Sequence, residues 1–114
     1  MGGSFATSDQ NAKPSLRPLR VASLKAGVYG EAKNMVTDLP GWELVSADDE
    51  RLVLECRRKG GILGGAAKIE IRVEGPDGIP SATVHVRSES QGGLLSRDKQ
   101  NVAEFLVPFH RRVC

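Results

Sequence analysis

With 114 residues, 39% of them hydrophobic and 26% charged, the chain has the composition of a globular domain, which excludes collagen-like, disordered and disulfide-scaffold architectures; its length holds one core and not two. Sixteen basic against 14 acidic side chains leave a formal charge of +2, and only 4% of residues are aromatic, so both the broad positive field and the stacking platform that nucleic acid requires are missing. No apolar run is long enough to span a bilayer.

Residues 1–15 are small and polar without a period and are expected to form a disordered leader, ahead of a single α+β domain at 16–114. They lack the basic and apolar regions of a secretory signal. Leu16, Leu19, Val21 and Leu24 follow, but Pro18 among them suits an edge strand or an extended entry better than a helix. From Val28 to Leu39, the apolar residues Val28, Ala32, Met35, Val36 and Leu39 fall on one helical face, and Pro40-Gly41 stops the helix. Residues 42–58 hold two apolar runs around the acidic turn Asp48-Asp49-Glu50, a hairpin with Leu52, Leu54 and Cys56 facing inward.

A second hairpin is the clearest pattern. Ala67, Ile69, Ile71 and Val73 alternate with Lys68, Glu70, Arg72 and Glu74, and after the turn Ala82, Val84 and Val86 alternate with Thr83, His85 and Arg87. Keeping both apolar sets on one side requires paired residue numbers with an odd sum, so Ile71 faces Val84 or Val86. Centring the turn on Asp77-Gly78 gives the first register, and charge pairing of Glu70 with Arg87 favours the second. A last helix is expected from about Ser96 or Asp98 to Val113, with Val102, Phe105, Leu106, Phe109 and Val113 on one face; Pro108 predicts a kink or break near 104–107. The fold class is therefore α+β, a two-layer sandwich. A four-stranded, mainly antiparallel sheet, with a possible extra N-terminal edge strand, carries two helices on one face in the order (β)αββββα.

Candidate chemistry is sparse. His85 stands on the outward face of a strand near Glu70 and Arg72, as a solvated sheet residue or, with Glu70 and Arg87, as the base of a small acid–base enzyme. His110 sits in the basic end His110-Arg111-Arg112, which complements the helix dipole. Neither histidine has ligands at metal spacing, and the Asp48–Glu50 carboxylates read as a solvated turn. The stretch Gly60, Gly61, Ile62, Leu63, Gly64 and Gly65 matches no phosphate-loop or dinucleotide pattern; it is expected to be a mobile loop, or a lid whose Ile62 and Leu63 close over a ligand. Trp42 is expected in the core.

Residues 84–101 are the most distinctive: Arg87 ends a strand, Ser88 and Ser90 follow at alternate positions, Gly92-Gly93 turns the chain, and Asp98 and Asn101 lie one helical turn apart. An ion pair between Arg87 and Asp98 is expected to tie strand to helix; an anion site of Arg87, Ser88, Ser90 and the helix amides is the competing arrangement. Here the sequence resembles domain-of-unknown-function family 1499, whose members carry an Arg-Ser-x-Ser strand end, a glycine turn, and an Asp and Asn leading into a final helix. The resemblance covers about Leu24 to Val113 in element order and rests on Arg87, Ser88, Ser90 and Gly93, with Asp98 and Asn101 at a shifted spacing. Lys99-Gln100 stand where the family encloses a glycine, and its N-terminal Asn-Cys segment is absent. The resemblance implies the fold and points to Arg87, and it implies no reaction.

The two cysteines, Cys56 and Cys114, allow at most one bridge and are expected as free thiols of a reducing, cytoplasmic compartment. With no nucleophile elbow or Cys-His arrangement, the sequence reads as a non-catalytic module for a small ligand or a protein, without catalytic residues, metal or cofactor. A monomer, or a weak homodimer formed through a sheet edge, is expected.

Overall fold

The computed structural model describes residues 4–60, 64–93 and 97–114. Helix α1 spans Lys25–Asp38 and buries Val28, Tyr29, Ala32, Met35 and Val36. Its last turn closes when the Leu39 N–H bonds the Met35 carbonyl at 3.1 Å. Pro40 cannot continue the ladder, and Gly41, at φ +81°, reverses the chain in a conformation that a side chain would strain.

Before α1 lie β1, Ser4–Ala6, and β2, Leu19–Val21; after it come β3, Trp42–Asp48, β4, Val53–Arg58, β5, Gly64–Glu74, and β6, Ala82–Gly93. Among the described residues, these six strands form one antiparallel sheet in the order β1-β6-β5-β4-β3, with β2 also on β6. The fold is thus α+β with an open antiparallel sheet, and it has two strands more than the four of the expected main sheet. One of them corrects the expected disordered leader. Ser4–Ala6 pair with Glu89, Ser88 and Arg87, Phe5 packs against the core, and Thr7 exchanges bonds with Val86 through its N–H and its hydroxyl. Three residues are too few to show a period of two, which is why the sequence pattern hides this strand. The segment around Pro18 does end in an edge strand, preceded by a single 3-10 turn at Pro14–Leu16.

The β5–β6 register pairs Ile71 with Val86 and Glu70 with Arg87, the option favoured by charge. The chain accordingly uses a wide loop, in which Gly75 passes so close to the Ser81 carbonyl that a Cβ there would collide with it. In the β3–β4 turn, the Asp48 carboxylate accepts the N–H groups of Glu50 and Arg51. Leu52, expected inward on a strand, instead occupies that turn at φ 58°. A bulge interrupts β3: Leu44 faces Cys56 and Ser46 faces Glu55, leaving Val45 as the extra residue.

Helix α2 runs from Asp98 to Val113 without a break at Pro108. The backbone bond that proline removes is offset by burial of Val102, Phe105, Leu106 and Phe109, with the Phe105 and Phe109 rings stacked 4.9 Å apart. Arg112 ties α2 to α1 through Glu31 at 3.0 Å and Asp38 at 3.1 Å. Both helices cover the sheet face built from Leu54, Cys56, Ile69, Ile71, Val84 and Val86, each 2% exposed or less. The alternate residues form an open, charged second face.

Candidate functional site

Strand alternation divides the motif of residues 87–101 between the two faces. Ser88 and Ser90 point inward and are buried, together with Asp98 and Asn101 from the first turn of α2. Both serine hydroxyls donate to the same Asp98 oxygen, at 2.7 and 2.8 Å, and the Asn101 amide donates to the Ser88 hydroxyl at 3.2 Å. This polar tie docks the N-terminus of α2 on β6, where a carboxylate also suits the helix dipole. Arg87 is exposed on the opposite face. The expected Arg87–Asp98 ion pair is therefore corrected, and so is the anion site that would join Arg87 to the serines: residues 87 and 88 of one strand cannot point to the same side. Gly93 lies opposite Gly64 at the end of the β5–β6 ladder. Of the expected lid, Gly61, Ile62 and Leu63 lie outside the described residues.

The outward residues form two charged rows across the strands. In one, Ser46, Glu55, Glu70 and Arg87 stand side by side; in the next, Glu43, Arg57, Lys68 and Glu89. A groove of about 360 Å³ crosses these rows, walled by Val45 at one end and Arg87 and Glu89 at the other, over the strand backbone at Cys56 and Ile69. The bulge puts Val45 there, because the extra residue turns out of the core and bends the strand. Like charges face each other at the centre: Glu55 opposite Glu70, and Arg57 opposite Lys68. Such pairs destabilise a sheet. Among the described residues, the ion pairs within 4.0 Å include none joining Glu55, Arg57, Lys68, Arg87 or Glu89 to a partner, and Glu70 has only Arg72, at 3.9 Å. Glu55 accepts a hydrogen bond from Ser46 at 3.2 Å.

His85 shares this face but stands outside the groove lining, with its Nε2 3.2 Å from Glu74. The structure therefore brings Glu70 and Arg87 together and leaves His85 to another partner. The Asp48–Glu50 turn is used internally as well, Asp49 accepting the Tyr29 hydroxyl at 2.6 Å and the Lys33 ammonium at 3.0 Å. Burial, helped by that acceptor, raises the Tyr29 phenol well above its ordinary value.

The fold is shared with solved proteins. The chain is similar to the ZhuI aromatase/cyclase of Streptomyces sp. R1128, with a TM-score of 0.57 and 11% identity over 98% of this chain and 86% of that one. It is similar to norcoclaurine synthase of Thalictrum flavum, at TM-score 0.54 and 13% identity over 95% and 83%, and to Ara h 8.0201, at 0.53 and 10% over 97% and 99%. No protein-family model matches the sequence, and no curated protein matches it. No helix among the described residues is long and apolar enough to cross a membrane.

Two features escape the sequence. Trp42 is buried as expected, but its indole N–H donates to Glu104, which also takes the Arg58 guanidinium at 2.8 and 3.1 Å. Burial works to raise the Glu104 carboxyl, and these two donors outweigh it, holding it below its ordinary value. The second feature is the groove, whose like-charged pairs exist only once β4 is registered on β5. Alternating charges in each strand were visible; which charges meet between β4 and β5 was not.

Proposed function

We propose that this domain is a non-catalytic binding module that holds a small molecule on the open face of its sheet, in the groove across β3 to β6. The observation that carries this reading is the groove itself: a cavity in the size range of ligand sites, whose charged lining is left without close ion-pair partners while the other sheet face is consumed by the core. The structural neighbours lend support at the level of fold. Two bear enzyme names, and norcoclaurine synthase was solved with a transition-state analogue, so an architecture of this shape can accommodate a small molecule. The resemblance to domain-of-unknown-function family 1499 fits the same reading, with Arg87 serving the groove and Ser88 and Ser90 serving the tie to α2. An enzyme built on His85, Glu70 and Arg87 is disfavoured, because His85 is engaged by Glu74 and does not line the groove.

Native mass spectrometry of the purified chain, followed by a fragment screen read by amide chemical shifts, tests the reading. A retained small molecule, or fragments that shift the amides of 55–57, 68–70 and 87–89 together, is the expected result. Fragments that perturb only α2 and the inward positions would overturn it.

A further inference from the structure

The charge pattern of the groove specifies its occupant more narrowly than its size does. Glu55 and Glu70 face each other on β4 and β5, and two residues along each strand Arg57 and Lys68 face each other in the same way. Two residues of strand separate an acidic pair from a basic pair by about 6–7 Å. Arg87 extends the acidic row and Glu89 the basic one, so each row ends in the opposite charge, and the two like-charged pairs stand at the centre. Without an occupant, both central pairs repel.

Resting on the proposed groove, we infer that its ligand is a dipolar small molecule with an ammonium-type cation and a carboxylate-type anion about 6–7 Å apart. The cation settles between Glu55 and Glu70, and the anion between Arg57 and Lys68. The body of the ligand lies along the backbone at Cys56 and Ile69, against Val45. A cation placed between two carboxylates turns their repulsion into two charge-assisted contacts, and the anion does the same for the bases. A free dipeptide has the right separation, because its terminal charges are also spaced by about two residues of extended chain, about 6–7 Å. An α-amino acid, with both charges on one residue, is too short to reach both rows.

Glycylglycine is the probe, titrated into the full chain and followed by amide shifts, beside N-acetyl-glycylglycine, which lacks the cation, and glycylglycinamide, which lacks the anion. The expected result is saturable shifts at 55–57 and 68–70, with both blocked peptides weaker by about tenfold or more, the loss that accompanies removal of a charge-assisted contact. The double variants Glu55→Gln/Glu70→Gln and Arg57→Gln/Lys68→Gln should each lose binding to a similar extent, while Glu74→Gln, on the same face outside the groove, keeps it. Equal binding of all three peptides would overturn the dipolar class and leave the groove reading standing. No saturable shift with glycylglycine would overturn the class too, the groove then being judged by the fragment screen. Concentration-dependent shifts of the same amides without any peptide would overturn it in favour of a second copy. Turned about an axis across the strands, that copy would set Glu55 against Arg57, Glu70 against Lys68 and Arg87 against Glu89.

Discussion

At the residue scale, the inner cluster and the outer face make opposite demands. Asp98 collects two buried hydroxyl donors, so Asp98→Ala should cost about 1–3 kcal/mol, the price of leaving buried polar groups unsatisfied. Asp98→Asn, which keeps an acceptor oxygen, should cost less. Arg87→Ala should stay within about 0.5 kcal/mol, as for other exposed sites; denaturant midpoints of the three variants check the order, and a loss in Arg87→Ala equal to that in Asp98→Ala would contradict the assignment of faces. The thiols separate as cleanly. Burial, aided by the Glu55 charge, pushes the Cys56 thiol up to about 12, whereas Cys114 is exposed. One thiol per native chain, at Cys114, should react with an alkylating reagent at neutral pH, and two after unfolding. The distinctive residues were legible in the sequence, but their grouping was not. Arg87 was joined to Asp98 by nearness in the chain, when period two alone places Arg87 opposite Ser88.

At the scale of elements, the helices and the β5–β6 hairpin were readable because each has five or more periodic apolar positions; the β3–β4 hairpin has fewer, and Leu52, read as one of them, lies in its turn. Of the two β5–β6 registers that the sequence left open, the structure has the one in which Glu70 pairs with Arg87, so charge pairing outweighed the shorter turn. The short strands were beyond the same argument, since β1 owes its place to Phe5 and to the free edge of β6 rather than to its own pattern. Helix α2 offers a direct check. Pro108 sits in an unbroken helix, so Pro108→Ala should restore an N–H for the Glu104 carbonyl and raise stability by up to about 3 kcal/mol. A lower midpoint would mean that the proline sets a helix shape the core requires. Glu104 itself gives a pH signature. Its carboxyl titrates below the ordinary value of 4.5 in the folded chain, so its contribution is fully present above that value and is lost as pH falls through the depressed one. Wild type should therefore lose more stability than Glu104→Gln between neutral pH and about pH 3, and equal losses would show that the Arg58–Glu104–Trp42 network contributes nothing.

At the scale of the molecule, one sheet face carries stability and the other carries an arrangement that stability does not explain. The inner face is apolar, closed by two helices and pinned by one satisfied polar cluster. The outer face sets acid against acid and base against base at its centre, which a sheet selected only for folding would avoid. Retaining such pairs is the kind of cost that binding sites impose. The double variant Glu55→Gln/Lys68→Gln removes one member of each repelling pair without changing side-chain length much or touching the core. Its denaturant midpoint at low salt, measured beside its affinity for glycylglycine, shows whether the repelling pairs serve a ligand. The expected result is a gain of about 0.2–1 kcal/mol that shrinks as salt screens the charges, together with loss of peptide binding. A less stable variant, or one that binds the peptide as wild type does, would contradict it.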